Sequence, residues 1–225
     1  MRILEDIRLL NDIASSQKGL FTTAQAKQTG IERYTLSRLE KSGNIERLAH
    51  GVYRMGGSPS SREEEVFAVW LSLNPTRQPG SPFDSNSPIV MGSTAAWLLE
   101  LGEIGPTPYE FCTKDRRQTQ RPHMRLRKRC VKQQDIMLVS GLPTTTPERT
   151  VIDLIDVGED LSLISNVLCD ALSQGKIHDE TKLIKEVNKR APRRGHTTSQ
   201  SLFEILLKEG GRWSSKMHCS HCGAS

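Results

Sequence analysis

The chain lacks long hydrophobic runs. Nowhere in its 225 residues does an apolar stretch approach the 18 or more that a membrane-spanning helix needs. Its first residues include the acidic Glu5 and Asp6 in place of a signal peptide's pattern. A membrane partner is therefore not expected. Cysteine is scarce as well: Cys112, Cys130, Cys169, Cys219 and Cys222 are odd in number and widely spread. That distribution argues against a disulfide framework and for reduced thiols in a cytoplasmic protein. Catalytic signatures are missing too, with no glycine-rich phosphate loop, no Gly-x-Ser-x-Gly elbow and no His-Glu-x-x-His. No internal repeat is seen. The expectation is a protein that is not an enzyme and uses no cofactor.

What the chain does have is an excess of positive charge, +5 with a pI near 9.0, which suits a polyanionic partner. It also has one compact motif between Gly19 and Met55. Thr22 or Thr23 is placed to cap a short helix with small apolar residues Ala24 and Ala26, and Gly30 supplies a tight turn. The next helix carries Ile31, Leu36 and Leu39, with the two leucines three apart on one face. Arg33, Tyr34, Thr35, Ser37, Arg38 and Lys41 are left for its flanks and outer face, and Gly43 ends it. Ile45, Leu48, Val52 and Tyr53 then read as two short strands around Ala49, His50 and Gly51.

This order is that of a winged helix-turn-helix, which names the DNA major groove as partner. Arg47, His50 and Arg54 lie on or beside the wing, within reach of phosphates. Ile3, Ile7, Leu10 and Ala14, widened by Leu4 and Ile13, predict a preceding helix that backs the motif. The bland alternative is an ordinary helical bundle whose arginines form a solvated face.

A winged helix occupies only about 60 residues, so most of the chain forms a second domain. The polar stretch Gly56 to Ser61 predicts the boundary. Helices are expected over Arg62–Leu73, Thr94–Leu101 (capped by Ser93, ended by Gly102), Val151–Asp156, Leu161–Leu172, Thr181–Lys189 and Ser201–Leu207. Strands are expected over Tyr109–Thr113, Met124–Arg129, Ile136–Val139 and Leu142–Thr144, with Asn74 to Pro88 an exposed loop. The fold class is α+β: a winged helix-turn-helix at residues 1–57, a larger α+β domain with helices around a small sheet at 58–210, and a tail at 211–225.

Lys114, Arg116, Arg117, Arg121, Arg125, Arg127, Lys128, Arg129 and Lys132 face only one acid, Asp115, over nineteen positions. They form a candidate second nucleic-acid surface or a site for an acidic protein, the alternative being a hairpin made basic for solubility. On duplex DNA each phosphate contact would add about −0.9 to the salt slope.

In the block Thr144 to Leu154, Thr145 or Thr146 is placed to cap a helix with Pro147 in its first turn, and Glu148 favours the dipole there. Val151, Ile152, Leu154 and Ile155 form its buried side, while Arg149 and Asp153 are four apart and can pair. Glu148 and Asp153 could be read as paired nuclease carboxylates, but no nearby Glu-x-Lys pattern or histidine completes such a site. His218, Cys219, His221 and Cys222 have soft-ligand chemistry at Cys-x-x-Cys spacing, without a second pair to close a structural zinc site. No metal is expected.

Two blocks together carry a family resemblance. The first comprises Gly19-Leu-Phe-Thr-Thr-Ala-Gln-Ala26, Leu39 to Gly43 and Glu46-Arg-Leu-Ala-His-Gly-Val-Tyr-Arg54. The second comprises Gly92-Ser-Thr-Ala-Ala-Trp-Leu98 and Gly141-Leu-Pro-Thr-Thr-Thr-Pro-Glu-Arg-Thr-Val-Ile-Asp-Leu154. In this order the chain resembles the AbiEi-type antitoxins of abortive-infection, type IV toxin–antitoxin systems. The resemblance implies a bacterial protein whose winged helix binds inverted repeats in the double-stranded DNA of its own operator. It further implies that the second domain counters a nucleotidyltransferase-like toxin or acts on that toxin's target. The terminal Cys/His tail departs from the family pattern. Two other readings are a stand-alone regulator whose second domain senses a ligand or dimerises, and a winged-helix-targeted nuclease.

Overall fold

The fold is α+β. A computed structural model describes residues 2–80, 87–194 and 201–210. It divides into two compact units: residues 1–88 with 113–117, and residues 89–112 with the remainder from 118. The sequence-based boundary at 57 and 58 falls inside the first unit, between its third strand and fourth helix.

The first unit opens with α1 (Arg2–Ser15), followed by β1 (Leu20–Thr22), α2 (Thr23–Gln28), α3 (Arg33–Lys41), β2 (Ile45–Ala49) and β3 (Val52–Met55). The strands make an antiparallel sheet in the order β1-β3-β2, with Phe21 opposite Tyr53 and Glu46 opposite Arg54. This is a winged helix. Thr22 caps α2: its hydroxyl accepts from the Gln25 N–H while the Gln25 side chain accepts from the Thr22 N–H, a reciprocal capping box. Gly30, at φ +83, makes the turn into α3 in a conformation that costs a side-chain-bearing residue energy. Leu10, Ile13, Ala14, Phe21, Ala26, Ile31, Leu36, Leu39, Ile45 and Met55 share one core. The first turn of α1 stays out of it: Ile3 is 42% and Leu4 75% exposed, contrary to the helical-spacing expectation.

Helix α4 (Glu64–Leu73) packs against this sheet. Lys18 pairs with Glu63 at 3.7 Å and lies over the Phe67 ring, and Arg54 binds Glu64 at 3.0 Å. The chain after α4 returns to the helix-turn-helix: Thr22 Oγ1 donates to the Pro75 carbonyl at 2.5 Å and Gln25 Nε2 to the Arg77 carbonyl at 2.7 Å.

The second unit holds a five-stranded sheet in the order β6-β5-β4-β8-β7, made of β4 (Ile89–Val90), β5 (Tyr109–Thr113), β6 (Met124–Lys128), β7 (Ile136–Val139) and β8 (Leu142–Thr145). β4 runs parallel to β8 and antiparallel to β5. The helices are α5 (Gly92–Leu98), α6 (Pro147–Val157), α7 (Leu161–Ser173), α8 (Glu180–Asn188) and α9 (Leu202–Glu209). Leu154, Val167, Leu168, Leu183, Leu202 and Leu206 lie at the centre of their shared core.

Helix α5 begins two residues earlier than expected and is not capped by the Ser93 side chain. The buried carboxylate of Glu110 on β5 accepts from the Ser93 N–H at 3.3 Å instead. Gly92 is required there, because it sits at φ +60 and an added Cβ would lie 2.0 Å from Glu110 Oε2. Among the described residues no helix is long and apolar enough to cross a membrane.

Candidate nucleic-acid interface

Helix α3 has two sides set by its spacing. Leu36 and Leu39 are 1% and 2% exposed, so they anchor the helix to the core and turn the opposite side outward. Arg33, Tyr34, Ser37, Arg38 and Lys41 are exposed on it, Tyr34 at 61%. Among the described residues, none of these five side chains makes a hydrogen bond or ion pair, so all are free to meet a ligand. Thr35 corrects the expectation that it lies on the outer side: it is buried against the unit, one residue before Leu36.

The wing is the β2–β3 hairpin, tipped by His50 and Gly51. Arg47 is exposed, and its guanidinium reaches back to the Ala49 carbonyl and the His50 ring, each at 3.5 Å. These long contacts hold the side chain loosely at the tip. Arg54 is different. It lies between Glu46, at 2.5 Å, and Glu64, at 3.0 Å, with its side chain 17% exposed. The hydrogen bond to Glu46 is the main reason that its guanidinium is held protonated more firmly than usual. Its charge is answered within the protein, whereas phosphate contact was expected of it. A cleft of about 430 Å³ opens between α2, the start of α3 and the wing tip, bordered by Thr23, Lys27, Arg33 and His50. Lys27 did not stand out in the sequence; its place one turn along α2 from Thr23 is the signal that could have found it.

The basic run from Lys114 to Lys132, whose first three cations belong to the first unit and the rest to the second, is divided in use. Lys114, Arg116, Arg125 and Lys128 are exposed, Arg121 is half-buried, and Arg117, within the first unit, donates to the Leu73 carbonyl at 2.8 Å. Arg127 and Arg125 stand 3.4 Å and 3.7 Å from Glu110, which is only 3% exposed. Arg129 donates to Asp153 at 2.6 Å and reaches Asp156 at 3.6 Å. Glu110 was not legible as an organiser: its partners lie 15 and 17 residues away on the neighbouring strand.

Neither carboxylate of the nuclease reading stands free. Glu148 Oε1 accepts from the His178 N–H at 2.6 Å. Asp153 is fully buried between Arg129 and Arg149, the latter at 3.0 Å as its i,i+4 spacing predicts. Burial raises the Asp153 carboxyl above its ordinary value despite both guanidiniums, and its Oδ2 has no hydrogen-bond partner. Cys112, buried on β5, is pushed up to about 12, first by burial and then by Asp153, so it stays a thiol at neutral pH. Among the described residues no group of three His, Cys, Asp or Glu is placed to hold a metal ion. His218, Cys219, His221 and Cys222 lie outside the described residues.

Residues 88–205, more than half of the chain, match the family model described as the AbiEi antitoxin C-terminal domain. The chain belongs to the AbiEi antitoxin family. Residues 8–56 of this AbiEi antitoxin match a second model, described as a transcriptional regulator, AbiEi antitoxin. That span runs from α1 through the wing, and it gives the antitoxin a DNA-binding, regulatory part. The chain is also similar to the crystal structure of the RV2827C protein from Mycobacterium tuberculosis. The identity is 15% and the TM-score 0.49, over 91% of this chain and 76% of that one. No curated protein matches.

Proposed function

We propose that this antitoxin represses its own operon through the winged helix and counteracts a nucleotidyltransferase-like toxin through its second unit. The observation that carries the DNA reading is the outer side of α3. A helix that enters the major groove must offer unpaired polar groups above an apolar anchor, and Arg33, Tyr34, Ser37, Arg38 and Lys41 stand so above Leu36 and Leu39. Arg33 and Arg38 read base edges. Arg47 and His50, with Lys27 across the cleft, hold the phosphates on either side. Thr35 is left out of this set because it is buried, and Arg54 because Glu46 and Glu64 hold it. The operator is double-stranded DNA with inverted repeats upstream of the antitoxin's own gene. The toxin reading rests on the family description of residues 88–205.

Both roles are tested in the full chain. Arg33→Ala with Arg38→Ala should abolish repression of a reporter driven by the antitoxin's own promoter. The same variant should still restore growth to a host expressing the neighbouring gene. Loss of both activities together, with folding intact, would show that the roles are not separable as proposed. A neighbouring gene that does no harm would remove the toxin half of the reading.

A further inference from the structure

The second unit contains a cleft of about 530 Å³ bounded by the segment before β7, by α6 and by α8. Its charged lining comprises four acids and four lysine or arginine side chains, which differ in how far each is engaged by the protein itself. All four acids of the lining have partners: Asp135 stands 3.9 Å from Arg149, Glu148 accepts from the His178 N–H, Asp179 from the Lys182 N–H at 2.8 Å, and Glu186 from Arg190 at 2.8 Å. That contact is the first cause holding the Glu186 carboxyl below its usual range. Among the described residues, the side chains of Lys132, His178 and Lys182 make no hydrogen bond or direct ion pair, although Lys182 lies within the field of Glu186. Three cationic or proton-donating side chains therefore border one concavity, whose apolar wall is supplied by Ile152 and Leu183.

We infer that this cleft binds a nucleotide, with its phosphates between Lys132 and Lys182 and its base over Ile152 and Leu183. The volume falls within the range of about 300–1,000 Å³ typical of small-molecule sites. Unpaired ammonium groups suit a phosphate as point charges. The carboxylates in the lining disfavour a long polyanion, whose successive phosphates would meet Glu148, Asp179 and Glu186, more than they disfavour one compact polyphosphate held at the two lysines. The cleft is lined by residues of the second unit alone, whereas α3 and the wing belong to the first.

The test is fluorescence titration of the full chain with a methylanthraniloyl-labelled nucleoside triphosphate. Saturable binding is expected, displaced by unlabelled triphosphate and weakened at least tenfold in Lys132→Ala/Lys182→Ala. Lys132→Arg should retain it, and so should Arg33→Ala/Arg38→Ala. Unchanged thermal unfolding of the double variant would exclude misfolding as the cause. Absence of saturable binding at millimolar nucleotide would overturn the inference. So would binding lost with the α3 arginines, or displaced more readily by a short single-stranded oligonucleotide than by the free nucleotide.

Discussion

Arg38 and Arg129 both belong to stretches dense in arginine and lysine, yet the fold gives them opposite surroundings. Arg38 stands exposed on α3 without an ion-pair partner among the described residues, while Arg129 lies 2.6 Å from a carboxylate that is 1% exposed. The difference arises from what each element packs against. α3 is anchored by Thr35, Leu36 and Leu39 and can leave its outer side uncommitted. β6 lies beside a strand carrying the buried Glu110, and the residues after it approach the buried Asp153, so several of their cations neutralise acids that water cannot reach. Positive charge in a sequence is thus a statement about partners only after the protein's own buried acids have been counted.

The largest effect that can break this comparison is on stability. Arg129→Ala should cost about 3 kcal/mol, because it leaves Asp153 buried with Arg149 as its remaining close partner. The urea midpoint measures this, and a loss below about 0.5 kcal/mol would place Arg129 with the free surface cations. The penalty should also depend on pH. The Asp153 carboxyl is raised in the folded chain, so the native state holds its proton more tightly than the unfolded chain does. Its contribution to stability is therefore present at acid pH and falls as pH rises through the folded value. Without Arg129 that fall should steepen, and the gap between variant and wild type should widen from acid to neutral pH.

Next in size is the effect on DNA. Arg38→Ala should weaken operator binding by about 1–3 kcal/mol and relax sequence preference at one position, leaving the unfolding midpoint in place. Arg47→Ala, on the wing, should weaken all sequences alike and reduce the salt slope by about 0.9. If the two substitutions behaved identically in competition binding, the division of labour between helix and wing would be wrong. The smallest effect is expected of Arg125→Ala. Its side chain is 59% exposed and stands 3.7 Å from Glu110, so the change should cost no more than about 1 kcal/mol and vanish in high salt.

Features set within a few residues were legible in the sequence. The turn at Gly30, the anchoring pair Leu36 and Leu39, a threonine cap on α2 (Thr22, of the two candidates Thr22 and Thr23) and the pairing of Arg149 with Asp153 all follow from local spacing. Features set by remote partners were not. β1 and β4 are three and two residues long, too short for alternation to declare them, and they exist because β3 and β8 offer partners. The start of α5 depends on Glu110, seventeen residues beyond Ser93, and the restraint on Arg54 depends on Glu64 in a helix outside the winged motif. For the same reason Arg54 and Thr35 looked available in the sequence, while Lys27 was overlooked.

The hydrogen bonds from Thr22 and Gln25 to the carbonyls of Pro75 and Arg77 bear on how this protein can be cut and recombined. A winged helix severed after residue 57 would keep its full sequence motif but lose the acceptors for two groups buried beside the start of α2. It would also uncover the sheet surface on which α4 lies. The portable cassette, whether passed between proteins by gene fusion or excised at the bench, extends at least through residue 77.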